Sequence, residues 1–126
     1  MRLEEQAQGG RFLIQGYGDG GFRIAGRRYQ GPVLVLPGGI VPWTAGGLSD
    51  ISYESFQPAF DAAGDIDVLL LGSGPGIAPV DRALLRRIRE EHGIAIDVMD
   101  TGAACRTFNV LLTDGRQVAA ALIPVE

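Results

Sequence analysis

The chain predicts a single α/β domain whose sheet is covered by helices on both faces, and three observations carry this expectation. Short unbroken apolar runs, Val33-Leu34-Val35-Leu36 and Val68-Leu69-Leu70-Leu71 among them, read as strands buried on both sides. In the C-terminal half such runs alternate with stretches whose apolar residues recur at helical spacing, the pattern of a mainly parallel sheet. The composition, 46% hydrophobic and 21% charged over 126 residues, suits one globular core. Residues 1–9 are expected as a flexible tail, which leaves residues 10–126 as the domain.

The N-terminal half reads as antiparallel strands and a small side layer. Phe12-Leu13-Ile14 and Phe22-Arg23-Ile24 flank Gly18-Asp19-Gly20-Gly21, a hairpin with a glycine-permitted turn. The buried run Val33–Leu36 stops at Pro37-Gly38-Gly39. Residues 40–43 follow as a short edge strand, because Pro42 bars a central position. Ser55 is expected to cap a short helix carrying Phe56, Ala59, Phe60 and Ala63, with Pro58 in its first turn, where a missing N–H is tolerated.

After the run at residues 68–71, residues 81–92 predict a helix. It turns Leu84, Leu85 and Ile88 inward and Arg82, Arg86 and Arg89 outward, and it ends at Gly93. Residues 94–99 form the next strand. Thr101 is expected to cap a second helix whose inner face holds Ala104, Phe108, Leu111 and Leu112 and which ends at Asp114-Gly115. Residues 117–123 make the final strand.

Several chemistries are excluded by composition. All eleven basic residues are arginine, so Schiff-base chemistry, a lysine base and a P-loop lysine are absent; a GC-rich bacterial coding bias is the plain reason. The net charge of −4 and pI near 4.9 argue against general nucleic-acid binding, which needs a concentrated basic surface. Cys105 is the sole cysteine and forbids an intramolecular disulfide. With one His, one Cys and scattered carboxylates, no metal set is expected, and no cofactor. The acidic, polar start and the shortness of every apolar run lead us to expect a cytoplasmic protein without a membrane span.

Three segments carry a more specific likeness. Leu71-Gly72-Ser73-Gly74 follows a strand. The distinctive run is Met99-Asp100-Thr101-Gly102-Ala103-Ala104-Cys105-Arg106-Thr107-Phe108-Asn109-Val110-Leu111-Leu112, and Gly115-Arg116-Gln117-Val118-Ala119-Ala120-Ala121-Leu122 comes after it. Together they resemble the adipogenesis-associated Mth-type domain family, and Gly16-Tyr17-Gly18, Ile24-Ala25-Gly26 and Trp43 fit it more loosely. That family includes a mitochondrial respiratory complex I assembly factor and many bacterial and archaeal members. The resemblance covers nearly the whole chain. It implies a three-layer α/β fold around a mixed five-stranded sheet, with no established catalytic activity to carry over.

Two places are candidate sites. Gly72-Ser73-Gly74-Pro75-Gly76, between a strand and a helix, can cradle an anion with backbone N–H groups. It lacks the Gly-Lys-Ser/Thr of a P-loop, and Ile77 stands where a dinucleotide fingerprint needs its third glycine, so a tight turn is the plainer reading. The second candidate is the segment 101–109. Thr101 would present the helix N-terminus to the first loop, and Arg106 and Asn109 share a face able to hold a carboxylate or a partner's backbone. Its plainer reading is an ion pair for Arg106, a loop tie for Asn109 and apolar packing for Cys105. Cys105 lacks a base, since the only histidine, His92, ends the preceding helix and serves simply as a cation at a helix C-terminus. Ser73 has no nucleophile elbow around it.

Two functions remain open on the sequence. The first is a non-enzymatic protein-interaction or assembly module, related to respiratory complex assembly, with an unidentified protein partner or a second copy in a homodimer. The alternative is a small-molecule- or anion-binding domain, or an unrecognised enzyme, using the crevice formed by Gly72, Ser73, Gly74, Thr101, Arg106 and Asn109. A pocket joining these residues would favour the alternative, and an exposed apolar patch the first.

Overall fold

The computed structural model of the chain describes residues 12–126, so the expected tail at residues 1–9 lies outside the described residues. Eight strands and three helices follow in order. They are β1 (Ile14–Gly18), β2 (Gly21–Ile24), β3 (Arg27–Gln30), β4 (Val33–Leu36), β5 (Gly39–Pro42), α1 (Gln57–Asp61), β6 (Val68–Gly72), α2 (Arg82–His92), β7 (Ala95–Met99), α3 (Thr101–Thr113) and β8 (Val118–Leu122).

The main sheet has the order β5-β4-β8-β6-β7. Strand β8 runs parallel to β6, which runs parallel to β7, whereas β4 lies antiparallel to both β8 and β5. The sheet is therefore mixed. Its parallel character is confined to the half built from helix–strand alternation, where crossover helices supply the return path. Every residue of the central strand β8 is buried. Alternate side chains feed two cores: Leu69, Leu71, Ala119 and Ala121 join Trp43, Phe56, Phe60 and Ile88 on one face, and Leu70, Ala120 and Leu122 join Phe22, Ala104 and Phe108 on the other. Two-sided burial is why these strands read as unbroken apolar runs.

The side layer is larger than a hairpin. A second two-residue turn, Ala25-Gly26, adds β3 antiparallel to β2. The first turn places Asp19 at φ 54° and Gly20 at φ 78°, the paired positive values that a tight hairpin needs and that Asp-Gly adopts readily. The second puts Ala25 at φ 49° and Gly26 at φ 83°. Alanine is uncommon there, and β3 itself is the polar Arg27-Arg28-Tyr29-Gln30, so neither turn nor strand announces itself. Arg28 Nη2 ties the layer down by donating to the carbonyls of Gly18 (2.8 Å) and Asp19 (2.9 Å).

Two expected caps are corrected. Ser55 does not cap α1; it sits in a 3-10 turn with its hydroxyl on the Ser52 carbonyl, and Phe56 precedes the helix without a side-chain cap. Thr101 is the first residue of α3 and not its cap. The Asp100 carboxylate accepts from Ala103 N–H at 2.8 Å, because the Thr101 hydroxyl is committed elsewhere. Helix α2 matches its expected ends, with Asp81 capping the start and Gly93 at φ 72° closing it.

Candidate functional site

The C-terminal ends of β6 and β7 are neighbours, and this brings the loop after β6 against the start of α3. Thr101 is fully buried at that junction. Its Oγ1 accepts from Gly74 N–H at 2.8 Å and donates to the Ile123 carbonyl at 2.6 Å. Thr101 N–H donates to the Gly74 carbonyl and Ser73 N–H to the Met99 carbonyl, both at 2.8 Å, while Ile123 N–H reaches the Gly72 carbonyl at 2.9 Å. The Ser73 hydroxyl donates to Gly76 (2.6 Å) and accepts from Ala78 N–H (3.1 Å), closing the loop on itself. Gly72, Ser73, Gly74 and Thr101 thus meet as the sequence suggests. Their polar groups stitch the ends of β6, β7 and β8 together, and the N–H groups of Ser73 and Gly74 that an anion cradle needs already have partners.

Arg106 and Asn109 part company. The Asn109 side chain acts as an adhesive for β1: its Oδ1 accepts from Ile14 N–H (2.8 Å) and its Nδ2 donates to the Ile14 carbonyl (2.7 Å). Arg106 is exposed, and the ion pair among the described residues is Arg87–Glu91, not one to Arg106. Gly102 lies one turn before Arg106. A Cβ there would collide with Tyr17 Oη and come within 3.3 Å of Arg106 Nη1, so phenol and guanidinium converge over this glycine. Val110, one turn further, is 60% exposed and Tyr17 43%. Tyr17, Arg106 and Val110 therefore form one outward face, part aromatic, part cationic and part apolar. The sequence reading missed Tyr17 and Val110; the alternation of β1 could have turned Tyr17 outward, but nothing local placed it beside α3.

Cys105 is buried at 3% exposure. Burial pushes its thiol up to about 12, only partly opposed by Arg106. His92 belongs to the opposite face of the sheet, where it stacks on Phe60 at 3.7 Å and shares a 2.6 Å hydrogen bond with Tyr53 Oη. Tyr53 also donates to Glu91 (2.7 Å) beneath Arg87, whose guanidinium lies 3.6 Å over the Tyr53 ring. The Tyr53 and Arg87 hydrogen bonds hold the Glu91 carboxyl below its ordinary range. Cys105 and His92 form no dyad. Alkylation of Cys105 in the folded protein at pH 8 is expected to run roughly a hundredfold slower than in urea. Equal rates in a thiol-release assay would restore a reactive cysteine.

A cavity lies at the opposite end of the sheet from the Thr101 junction. It has a volume of about 290 Å³ and is walled by Phe12, Leu36, Phe108, Leu112 and Val118. Among the described residues no group of three or more His, Cys, Asp or Glu side chains is placed to hold a metal ion, and no helix is long and apolar enough to cross a membrane.

Fold and site together define a three-layer α/β domain of the Mth938-like class. Within that class the chain belongs to the family described as "Protein of unknown function (DUF498/DUF598)", whose model matches residues 14–123. It is 39% identical over 122 residues to the zebrafish (Danio rerio) NADH dehydrogenase [ubiquinone] 1 alpha subcomplex assembly factor 3, covering 97% of this chain and 69% of that protein. The frog, cattle and human proteins of that name are spanned over only about three fifths of their length. Among solved structures, an outer membrane protein from Bartonella henselae is 38% identical with a TM-score of 0.81, covering 92% of this chain and 97% of that one. A Mth938-like domain from Bordetella pertussis is 26% identical with a TM-score of 0.77, covering 90% and 85%.

Proposed function

We propose that the chain is a non-enzymatic protein-interaction module that helps assemble a multisubunit complex, in the first instance an NADH dehydrogenase. The carrying observation is the outward face of Tyr17, Arg106 and Val110. It is built on α3 and the adjoining strand β1, and its guanidinium has no ion-pair partner among the described residues. Tyrosine and arginine are the residue types that anchor protein interfaces, because each offers a large flat contact area together with hydrogen-bond donors. The unpaired arginine selects a client surface that carries a carboxylate. The names of the assembly-factor relatives support the same reading.

The test is made in the organism that encodes the chain. Deleting the gene is expected to lower the amount of assembled NADH dehydrogenase on a native gel. Re-expressed wild type is expected to restore it and Arg106→Glu to restore less than about a tenth, a loss in keeping with reversing the charge of one interface anchor. The isolated variant should melt with the wild type, since Arg106 is exposed. Unchanged NADH dehydrogenase in the deletion strain, or full restoration by Arg106→Glu, would overturn the proposal.

A further inference from the structure

The cavity at the far end of the sheet is assembled from five separate stretches of chain. Phe12 precedes β1, Leu36 and Pro37 end β4, Asp65 precedes β6, Phe108 and Leu112 come from α3, and residues 115–118 lead into β8. Its floor is apolar and preformed, because Phe108, Val118 and Leu36 are buried at 2%, 3% and 8% exposure within the core itself. An apolar cavity of roughly 150 Å³ admits benzene, so a space of about 290 Å³ takes a body about twice that size, an indole or a phenylalkyl group.

The rim disfavours a singly charged occupant. Asp65, Arg116 and Gln117 stand on it together, all exposed, and the ion pair among the described residues is Arg87–Glu91, not Asp65 with Arg116. A simple carboxylate would gain Arg116 but meet the like charge of Asp65, and an ammonium would face the reverse conflict. A neutral dipolar group meets neither. The amide of a polypeptide offers an N–H for Asp65 to accept and a carbonyl for Arg116 or Gln117 to donate to.

We infer that this cavity binds a bulky apolar side chain of a polypeptide partner, with the partner's main chain crossing the rim between Asp65 and Arg116. The inference rests on the reading of the chain as a protein-interaction module and gives it a second, chemically distinct contact. The cavity and the Arg106 face share helix α3, which gives Phe108 and Leu112 to the one and Arg106 and Val110 to the other, so one client can touch both.

The probe is N-acetyl-tryptophanamide, a neutral capped residue, titrated into the full-length ¹⁵N-labelled protein. Indole-3-propionate and tryptamine, which carry the same ring with one charge each, serve as comparisons. Saturable amide shifts are expected at Phe108, Leu112, Gly115 and Val118, with the capped residue binding at least about threefold tighter than either charged analogue. Leu112→Trp, which fills the space, should abolish the shifts, and the exposed Arg116→Ala should weaken binding while leaving the spectrum dispersed. Absence of saturable shifts at these residues overturns the inference. Equal or tighter binding of a charged analogue would make the cavity a small-metabolite site, and concentration-dependent shifts at the same residues without probe would assign it to a second copy; either outcome overturns it too. None of these readouts depends on NADH dehydrogenase levels, so failure here leaves the deletion experiment independent.

Discussion

Thr101→Val is expected to lower the unfolding free energy by roughly 2–4 kcal/mol, a loss of about 10 °C in melting temperature for a domain of this size. The substitution keeps the shape and removes one oxygen. That oxygen is the partner the structure gives to Gly74 N–H, a fully buried bond, and it also serves the part-buried Ile123 carbonyl, while Thr101 itself has no solvent access. Valine leaves the Gly74 amide buried without a partner and strips a part-buried carbonyl of its donor, which is more costly than losing an exposed hydrogen bond. Thr101→Ser keeps the hydroxyl and deletes a methyl, so it should lose no more than about 1.5 kcal/mol. Urea denaturation of the three proteins decides the matter. If valine came within about 0.5 kcal/mol of the wild type, the loop would have another source of support.

This threonine shows where the sequence stops being legible. Asp100 and Thr101 are both good N-cap residues, and local rules cannot choose between them. The choice is made by Ile123, 22 positions away, whose carbonyl takes the threonine hydroxyl and leaves the aspartate to cap the helix. Strands β4, β6 and β8 were readable because burial on both faces leaves an unbroken apolar run, and α2 because Asp81, Gly93 and its inward leucines agree. Strand β3 was hidden by an alanine in the left-handed region and by four mostly exposed residues.

The candidate site was legible in part, for the same reason. The meeting of residues 72–74 with Thr101 followed from two parallel neighbours, a rule of topology. What their polar groups do there depends on distances, and those distances close the groups on one another. Asn109 and Arg106 lie on one helix face, but Ile14, 95 positions away in sequence, captures the first and not the second. The cavity left no local trace at all, because five separate stretches converge on it and each reads as an ordinary turn or core residue.

Gly72→Ala is expected to destabilise the domain by roughly 1–3 kcal/mol, the usual penalty of forcing an atom into a packed junction. A Cβ at this position would lie 2.9 Å from both the Cα and the Oγ1 of Thr101 and 3.0 Å from Leu122 Cδ2. The leucine tip can rotate away, but the Thr101 Cα is helix backbone and can retreat only if α3 moves off the end of β6. Such a movement stretches the hydrogen bonds that Gly74 and Ile123 make across the junction. Gly76→Ala supplies the control, since nothing lies within 4 Å of its added Cβ, and it should fall within about 0.5 kcal/mol of the wild type. The double variant Gly72→Ala/Thr101→Val tests whether both act on one network. Its loss should be smaller than the sum of the single losses by about 0.5 kcal/mol or more, because a junction already opened has fewer bonds left to lose. Strict additivity in urea denaturation would separate the two residues, and a Gly72→Ala protein as stable as the wild type would show that the strand end yields without disturbing the helix.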